Sequence, residues 1–438
     1  MAQTLSLDIK RFFTKEGNKA YDSLKWEERQ SRLENPGTGK VVFEQNNLEF
    51  PEGWSQNAIN IVAQKYFAGT PDSKEREHSL RQLIDRVVDT ITRQGLQEGY
   101  FESQEEAENF REELKYICAT QRAAFNSPVW FNIGWHDRAQ QASACFILGV
   151  DDTMESILNW YTEEGMIFKG GSGAGTNLSK VRSSYEMLGS SGGKASGPVS
   201  FMRGADSVAG TIKSGGKTRR AAKMVILNVD HPDIEEFIWC KAIEERKSRA
   251  LQAAGFDMSL DGKDAFSVQY QNANNSVRVT DEFMQAVEKD ENWDLLKLKD
   301  GSVAKTIKAR DLFRQIAESA WECADPGMQF DTTINRWHTT PNAGRINASN
   351  PCSEYMHLDN SACNLASINL LKYLNEDETF DAEAFKHTVE VLFSAQEILV
   401  GYSSYPTESI TKNARAYREL GIGYALSLIH ISEPTRQE

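Results

Sequence analysis

Met224-Val225-Ile226-Leu227-Asn228-Val229, with the basic stretch Ser214-Gly215-Gly216-Lys217-Thr218-Arg219-Arg220 just before it, is the segment on which the fold turns. Short and apolar on both faces, it reads as a strand buried on both sides. Similar runs at 146–150 and 367–370 alternate with helical stretches at 311–323 and 382–400. Short, doubly apolar strands interleaved with helices predict an α/β architecture with a mostly buried sheet.

Upstream of about residue 126 the pattern is different. Leu80, Leu83, Ile84, Val87, Val88 and Ile91 recur at helical spacing, with Gly95 as a natural stop. Ala107, Phe110, Leu114 and Ile117 form a second amphipathic stripe, and the Pro, Gly and Asn content between 34 and 53 predicts loops and short extended pieces. The expected organisation is a mostly helical domain over 1–120 and an α/β domain over 121–425, with no internal repeat.

At 438 residues the chain is long enough for two or three domains and a large core. Its formal charge of −14, from 63 acidic against 49 basic residues, argues against a general nucleic-acid or acidic-membrane binder. Small anions remain possible ligands, because local amides and a few cations suffice to hold them. Residues 1–11 lack an apolar core of signal-peptide length and no later run could span a bilayer, so a cytoplasmic protein is expected. Six cysteines without a CxxC pair fit neither a disulfide scaffold nor a zinc site, and no metal-ligand set is read.

Two glycine-bearing segments invite a phosphate. Gly170-Gly171-Ser172-Gly173-Ala174-Gly175-Thr176-Asn177 reads as a turn whose amides can approach an anion, but its GxGxG spacing is not the GxGxxG of a dinucleotide site. A purely structural role is as good a reading. Gly215-Gly216-Lys217-Thr218 resembles the end of a Walker A loop, yet the position that needs glycine is Thr211. What remains is a loop carrying Lys213, Lys217, Arg219, Arg220 and Lys223, able to order around an anion or simply to be solvated.

The densest chemistry lies in Asn350-Pro351-Cys352-Ser353-Glu354, with Cys363 eleven positions after Cys352. If the loop is extended, Cys352 and Glu354, two residues apart, face the same side. A carboxylate beside a thiol disfavours the thiolate, which argues against a protease-like nucleophile. The closest histidine, His357, has no defensible role. A neutral thiol next to a carboxylate suits hydrogen-atom chemistry.

These segments resemble the large subunit of ribonucleotide reductase. NPCSE with ACN after it matches the active-site loop of that family. Asn126-Ser127-Pro128-Val129-Trp130-Phe131-Asn132, Ser143-Ala144-Cys145-Phe146, Asp151-Asp152-Thr153-Met154-Glu155-Ser156-Ile157, GGSGAGTNLSKVR and SGGKTRRAAKMVILNVDHPDIEEFI agree in order. The regions 26–32 and 81–100 look like class II enzymes, which depend on adenosylcobalamin. The resemblance, over about 20–425, implies the first part of a ten-stranded α/β barrel and the reduction of ribonucleotides to 2′-deoxyribonucleotides. It implies that Cys352 carries a thiyl radical, that Glu354 is the base for the 3′-hydroxyl, and that Asn350 hydrogen-bonds the ribose. Cys145 and Cys363 would be the reducing pair, ending as a disulfide. Ser127, Ala144, Gly173, Pro351 and Ser353 would line the substrate; Asp152 and Arg182 would hold a deoxynucleotide or ATP effector, which Lys217 and Arg219 would report to the substrate. A thioredoxin-type reductant and a homodimer are the partners it implies.

Two alternatives stand beside this reading: a class I large subunit fed by a metalloprotein radical partner, and a non-catalytic nucleotide-binding module. No ATP-cone domain, which would favour class I, is found. The module predicts that Cys145, Cys352 and Cys363 lie far apart. After LGIGYA the wording departs from the family, so residues 426–438 (LSLIHISEPTRQE) are expected to be foreign to the fold. This chain by itself is expected not to turn over.

Overall fold

A computed structural model describes residues 7–34, 39–189, 192–212, 221–259 and 262–425. The chain divides into two compact units, one formed by Met1–Ala144, Cys363–Tyr405 and Ala414–Glu438, the other by Cys145–Ala362 and Pro406–Asn413.

In the first unit the stripe 80–91 forms the helix Leu80–Gln97. Ser79 starts it with a capping box, its hydroxyl accepting from Arg81 N–H while Gln82 reaches back. The second stripe forms Gln104–Ala119, and Ala382–Tyr402 packs against both helices. Val87, Ile91, Phe110, Leu114, Leu392 and Ile398 meet in the resulting core. Gly95 does not stop its helix, which runs two residues further. A Cβ at that glycine would lie 2.5 Å from the Phe101 ring and 2.8 Å from Ile398, so close packing explains it. Nor is the segment before residue 53 only loops and short pieces: Trp26–Glu34 and Val41–Pro51 pair as a long antiparallel hairpin. Strand Ser361–Asn369 runs parallel to Leu420–Ala425 and antiparallel to Ala123–Phe125.

The second unit carries the predicted α/β pattern. Five parallel strands lie in the order Gly327–Phe330, Asn274–Val279, Ala222–Asn228, Gly173–Asn177, Cys145–Leu148. Helices Met154–Lys169, Pro198–Thr211, Ile234–Ala253, Asp281–Lys289 and Ala309–Cys323 occur between them in the chain. The expected strand 224–229 is found as Ala222–Asn228, the central one of the five, and Val225, Ile226 and Leu227 are wholly buried, as a strand covered on both faces requires.

Two expectations need correction here. Gly173–Asn177 is a sheet strand and not a turn. Lys223 is no loop cation: it lies buried in the strand Ala222–Asn228, ion-paired with Glu164 and 4.3 Å from the Trp160 ring. Trp160 donates its indole N–H to Glu164 at 2.7 Å. Burial pushes the Glu164 carboxyl up and the Lys223 amine down, each opposed by the other's charge. Lys213, Lys217, Arg219 and Arg220 lie outside the described residues, as do residues 426–438. Among the described residues no helix is long and apolar enough to cross a membrane.

Candidate active site

The cysteine loop is the tip of a small hairpin. Its stems, Ala348–Ser349 and Met356–His357, pair antiparallel. Across the tip Asn350 N–H donates to the Tyr355 carbonyl at 3.2 Å, and Tyr355 N–H donates to Asn350 Oδ1 at 3.0 Å. The loop is not extended, as the alternation argument required. Ser353 takes a left-handed φ of 64° and donates its N–H to the Asn350 carbonyl at 3.1 Å, closing a tight turn over Pro351 and Cys352.

Glu354 also meets a second cysteine. The Cys145 thiol donates to Glu354 Oε1 at 3.5 Å and accepts from Asn350 Nδ2 at 3.0 Å. Cys145 opens the strand Cys145–Leu148 and is buried; Cys352, at the turn, is the one exposed cysteine of the six. A thiol, a carboxamide and a carboxylate therefore converge beside a second, accessible thiol. Glu354 is placed to take and return the proton of a neighbouring sulfur, and Asn350 fixes that sulfur in place.

The glycines read as a phosphate turn serve this loop sterically. A Cβ on Gly175 would sit 1.7 Å from the Ser349 carbonyl oxygen, and one on Gly173 would sit 2.8 Å from Pro351 Cγ. Only a strand without side chains at these two positions lets the hairpin cross so closely. Pro351 accepts at its carbonyl from Asn274 Nδ2 at 3.0 Å. Gln329 Nε2 donates to Ser349 Oγ at 2.7 Å and to Ser353 Oγ at 3.2 Å. Asn274 and Gln329 were not singled out by the sequence, where nothing local marks them.

The other candidates sit as follows. Arg182 donates its backbone N–H to Asp152 Oδ1 at 3.0 Å and its Nε–H to Oδ2 at 2.6 Å, ahead of the helix Met154–Lys169. In the first unit Cys363 is buried and donates to the Asn364 carbonyl at 3.6 Å. Ala144, the residue before Cys145, donates its N–H to the Cys363 carbonyl at 3.2 Å. Ser127 Oγ lies 2.9 Å from the Tyr66 hydroxyl. Buried cysteines outside the site behave as small hydrophobes: burial pushes the Cys118 and Cys240 thiols up to about 12.

Residues 143–426 match the ribonucleotide reductase barrel domain, and residues 27–121 match the class II vitamin B12-dependent ribonucleotide reductase family. The chain belongs to the class II ribonucleotide reductases. It is 59% identical over 423 residues to a vitamin B12-dependent ribonucleotide reductase of Streptomyces coelicolor, covering 96% of this chain and 44% of that one. A vitamin B12-dependent ribonucleotide reductase of Rhodopirellula baltica is 48% identical over 95% of this chain and 43% of its own. A vitamin B12-dependent ribonucleoside-diphosphate reductase of Mycobacterium tuberculosis is 32% identical over 84% and 48%. The chain thus spans just under half the length of these relatives. Vitamin B12 is the cofactor named for this family, and Cys352 at the hairpin tip is exposed.

Proposed function

We propose that this chain supplies the first part of the catalytic site of an adenosylcobalamin-dependent ribonucleotide reductase, which converts ribonucleotides to 2′-deoxyribonucleotides. The observation that carries the reading is the meeting of Asn350 and Glu354 on the Cys145 sulfur beside the exposed Cys352. The non-catalytic module finds no support in that convergence.

When bound, adenosylcobalamin supplies a carbon–cobalt bond that breaks homolytically. Cys352, as the thiyl, takes the 3′ hydrogen of the ribose, and Glu354 accepts the 3′-hydroxyl proton. Cys145 and Cys363 are the reductant. Of their two thiol hydrogens, one leaves with the 2′-hydroxyl as water and one ends on C2′, while the two sulfurs join as a disulfide. Cys352 then returns its hydrogen to C3′ and is a thiyl again, while Glu354 returns its proton to the 3′ oxygen. Asn350 holds both the sugar and the Cys145 sulfur. Ser127, Ala144, Gly173, Pro351 and Ser353 form the walls around the substrate.

Asp152 and Arg182 form the base of an effector site for a deoxynucleotide or ATP, with Lys217 and Arg219 relaying its identity. Met154, Leu158 and Met166 leave an exposed apolar stripe on the adjoining helix, which supports a homodimer through that helix. A thioredoxin-type protein reopens the disulfide. The enzyme works in the cytoplasm, on di- or triphosphates.

The test uses a chain of the relatives' full length with adenosylcobalamin and a thioredoxin-type reductant. Deoxynucleotide formation without any metal-containing partner protein is expected. Reduction only when such a partner is added would move the protein to the class I alternative.

A further inference from the structure

We infer that Asn274 and Gln329, carboxamides on two neighbouring strands, are positioning residues that clamp the Cys352 turn from both sides. The inference rests on the reductase reading of Cys352 and adds what sets the place of its sulfur.

Within the hairpin, the turn is bracketed by the Asn350–Tyr355 pair across the tip and by Ser349 Oγ, 3.3 Å from Ser353 Oγ. Its closing hydrogen bond, Ser353 N–H to the Asn350 carbonyl, spans only Pro351 and Cys352, and Ser353 sits in a left-handed conformation that a non-glycine residue resists. Pro351 has no N–H to offer, so its carbonyl is its one backbone handle. Asn274 Nδ2 takes that handle at 3.0 Å. On the other side of Cys352, Gln329 Nε2 donates to Ser353 Oγ and, one turn of chain earlier, to Ser349 Oγ. The residues flanking Cys352 are thus both tied to the sheet, and Cys352 itself remains exposed.

The clamp is oriented. Gln329 and Arg278 face each other in register across the two parallel strands. Arg278 Nη1 donates to Gln329 Oε1 at 3.1 Å and is itself fixed by Asp331 Oδ1 and the Ile346 carbonyl, both at 2.6 Å. With its oxygen committed to a cation, the Gln329 amide can present only its N–H side to the two serines. Asn274 and Arg278 share one face of their strand; Asn275, between them, points away and donates to Cys240 Sγ at 3.4 Å.

The test is made in the chain of full length, with Asn274→Ala and Gln329→Met. Asn274 is exposed, so its truncation leaves the fold intact even if the buried Gln329 variant proves fragile. Hydrogen–deuterium exchange at the Ser353 and Tyr355 amides is expected to quicken at least tenfold, with the strand Ala222–Asn228 unchanged. The kcat for deoxynucleotide formation should fall at least tenfold while the ribonucleotide KM stays within twofold. Exchange within twofold of the parent in Asn274→Ala overturns the clamp. Quickened exchange with kcat unchanged overturns its positioning role. Should the parent itself reduce no ribonucleotide, the reductase reading fails, and the exchange measurement still decides the clamp.

Discussion

Asn350 donates its side-chain N–H to the sulfur of Cys145 at 3.0 Å, joining residues 205 positions apart in the chain. The contact puts the hairpin tip and the first strand of the α/β unit into one site. It also uses both ends of the carboxamide, because Asn350 Oδ1 accepts from Tyr355 N–H. Asn350→Ala removes both bonds at once. A drop of about 10²–10³ in kcat is expected, typical of losing an oriented polar group from a site. Nucleotide binding, read by equilibrium dialysis, should persist.

Gly175→Ala tests the crossing of hairpin and strand. A methyl group 1.7 Å from the Ser349 carbonyl cannot be accommodated without moving the hairpin stem. We expect the stability to fall by about 1–3 kcal/mol, as for other overpacked sites, and reduction to fall more than the stability loss explains. Urea unfolding alongside initial rates separates the two. Unchanged activity would mean the stem need not sit where it does.

The strand at 224–229, the helical stripes and the α/β alternation were all legible because each repeats over several residues, and repetition is what periodicity detects. The thiol–amide–carboxylate cluster was legible as chemistry, since all three groups lie within five residues. Its geometry was not. The hairpin stems are two residues each, too short to show alternation, and nothing local shows that Glu354 accepts from Cys145. The roles of Gly173 and Gly175 could not be read locally, because the chain they make room for lies more than 170 residues downstream. Gly95 misled for the same reason: its neighbours Phe101 and Ile398 are set by tertiary packing. Asn274 and Gln329 carry no local signal at all.

The buried pair Lys223–Glu164 gives a prediction about stability. Both side chains are sequestered from water, and each is the other's main compensation. Lys223→Met or Glu164→Gln alone is expected to cost about 3–5 kcal/mol, since the survivor is left buried without its counter-charge. The double variant should cost less than the sum of the two. A double-mutant cycle by chemical denaturation that came out additive would show the pair to be uncoupled.

Glu113 sets an acid limit for the first unit. Burial pushes its carboxyl up, but hydrogen bonds from His387, Thr14 and the Phe13 amide outweigh this and hold it below its ordinary 4.5. The donors lie at 2.6–2.9 Å. A folded value below the unfolded one stabilises fully above the ordinary carboxyl value and is lost as pH falls through the lower folded value. Stability should therefore decline below about pH 4.5, and Glu113→Gln should flatten that part of the curve while costing about 1–3 kcal/mol at neutral pH. Thermal unfolding across pH 3–7 is the check; parallel curves for both proteins would exclude Glu113 as the responsible group.

We propose that Cys352 starts the chemistry and that Cys363, with Cys145, ends it. The direct measurement is single- and multiple-turnover formation of deoxynucleotide by the full-length chain with adenosylcobalamin, comparing the parent with Cys352→Ser and Cys363→Ser. We predict no product from Cys352→Ser with ribonucleotide binding intact, and no sustained turnover on a thioredoxin-type reductant from Cys363→Ser. Deoxynucleotide made by Cys352→Ser at the parent's rate would contradict the account.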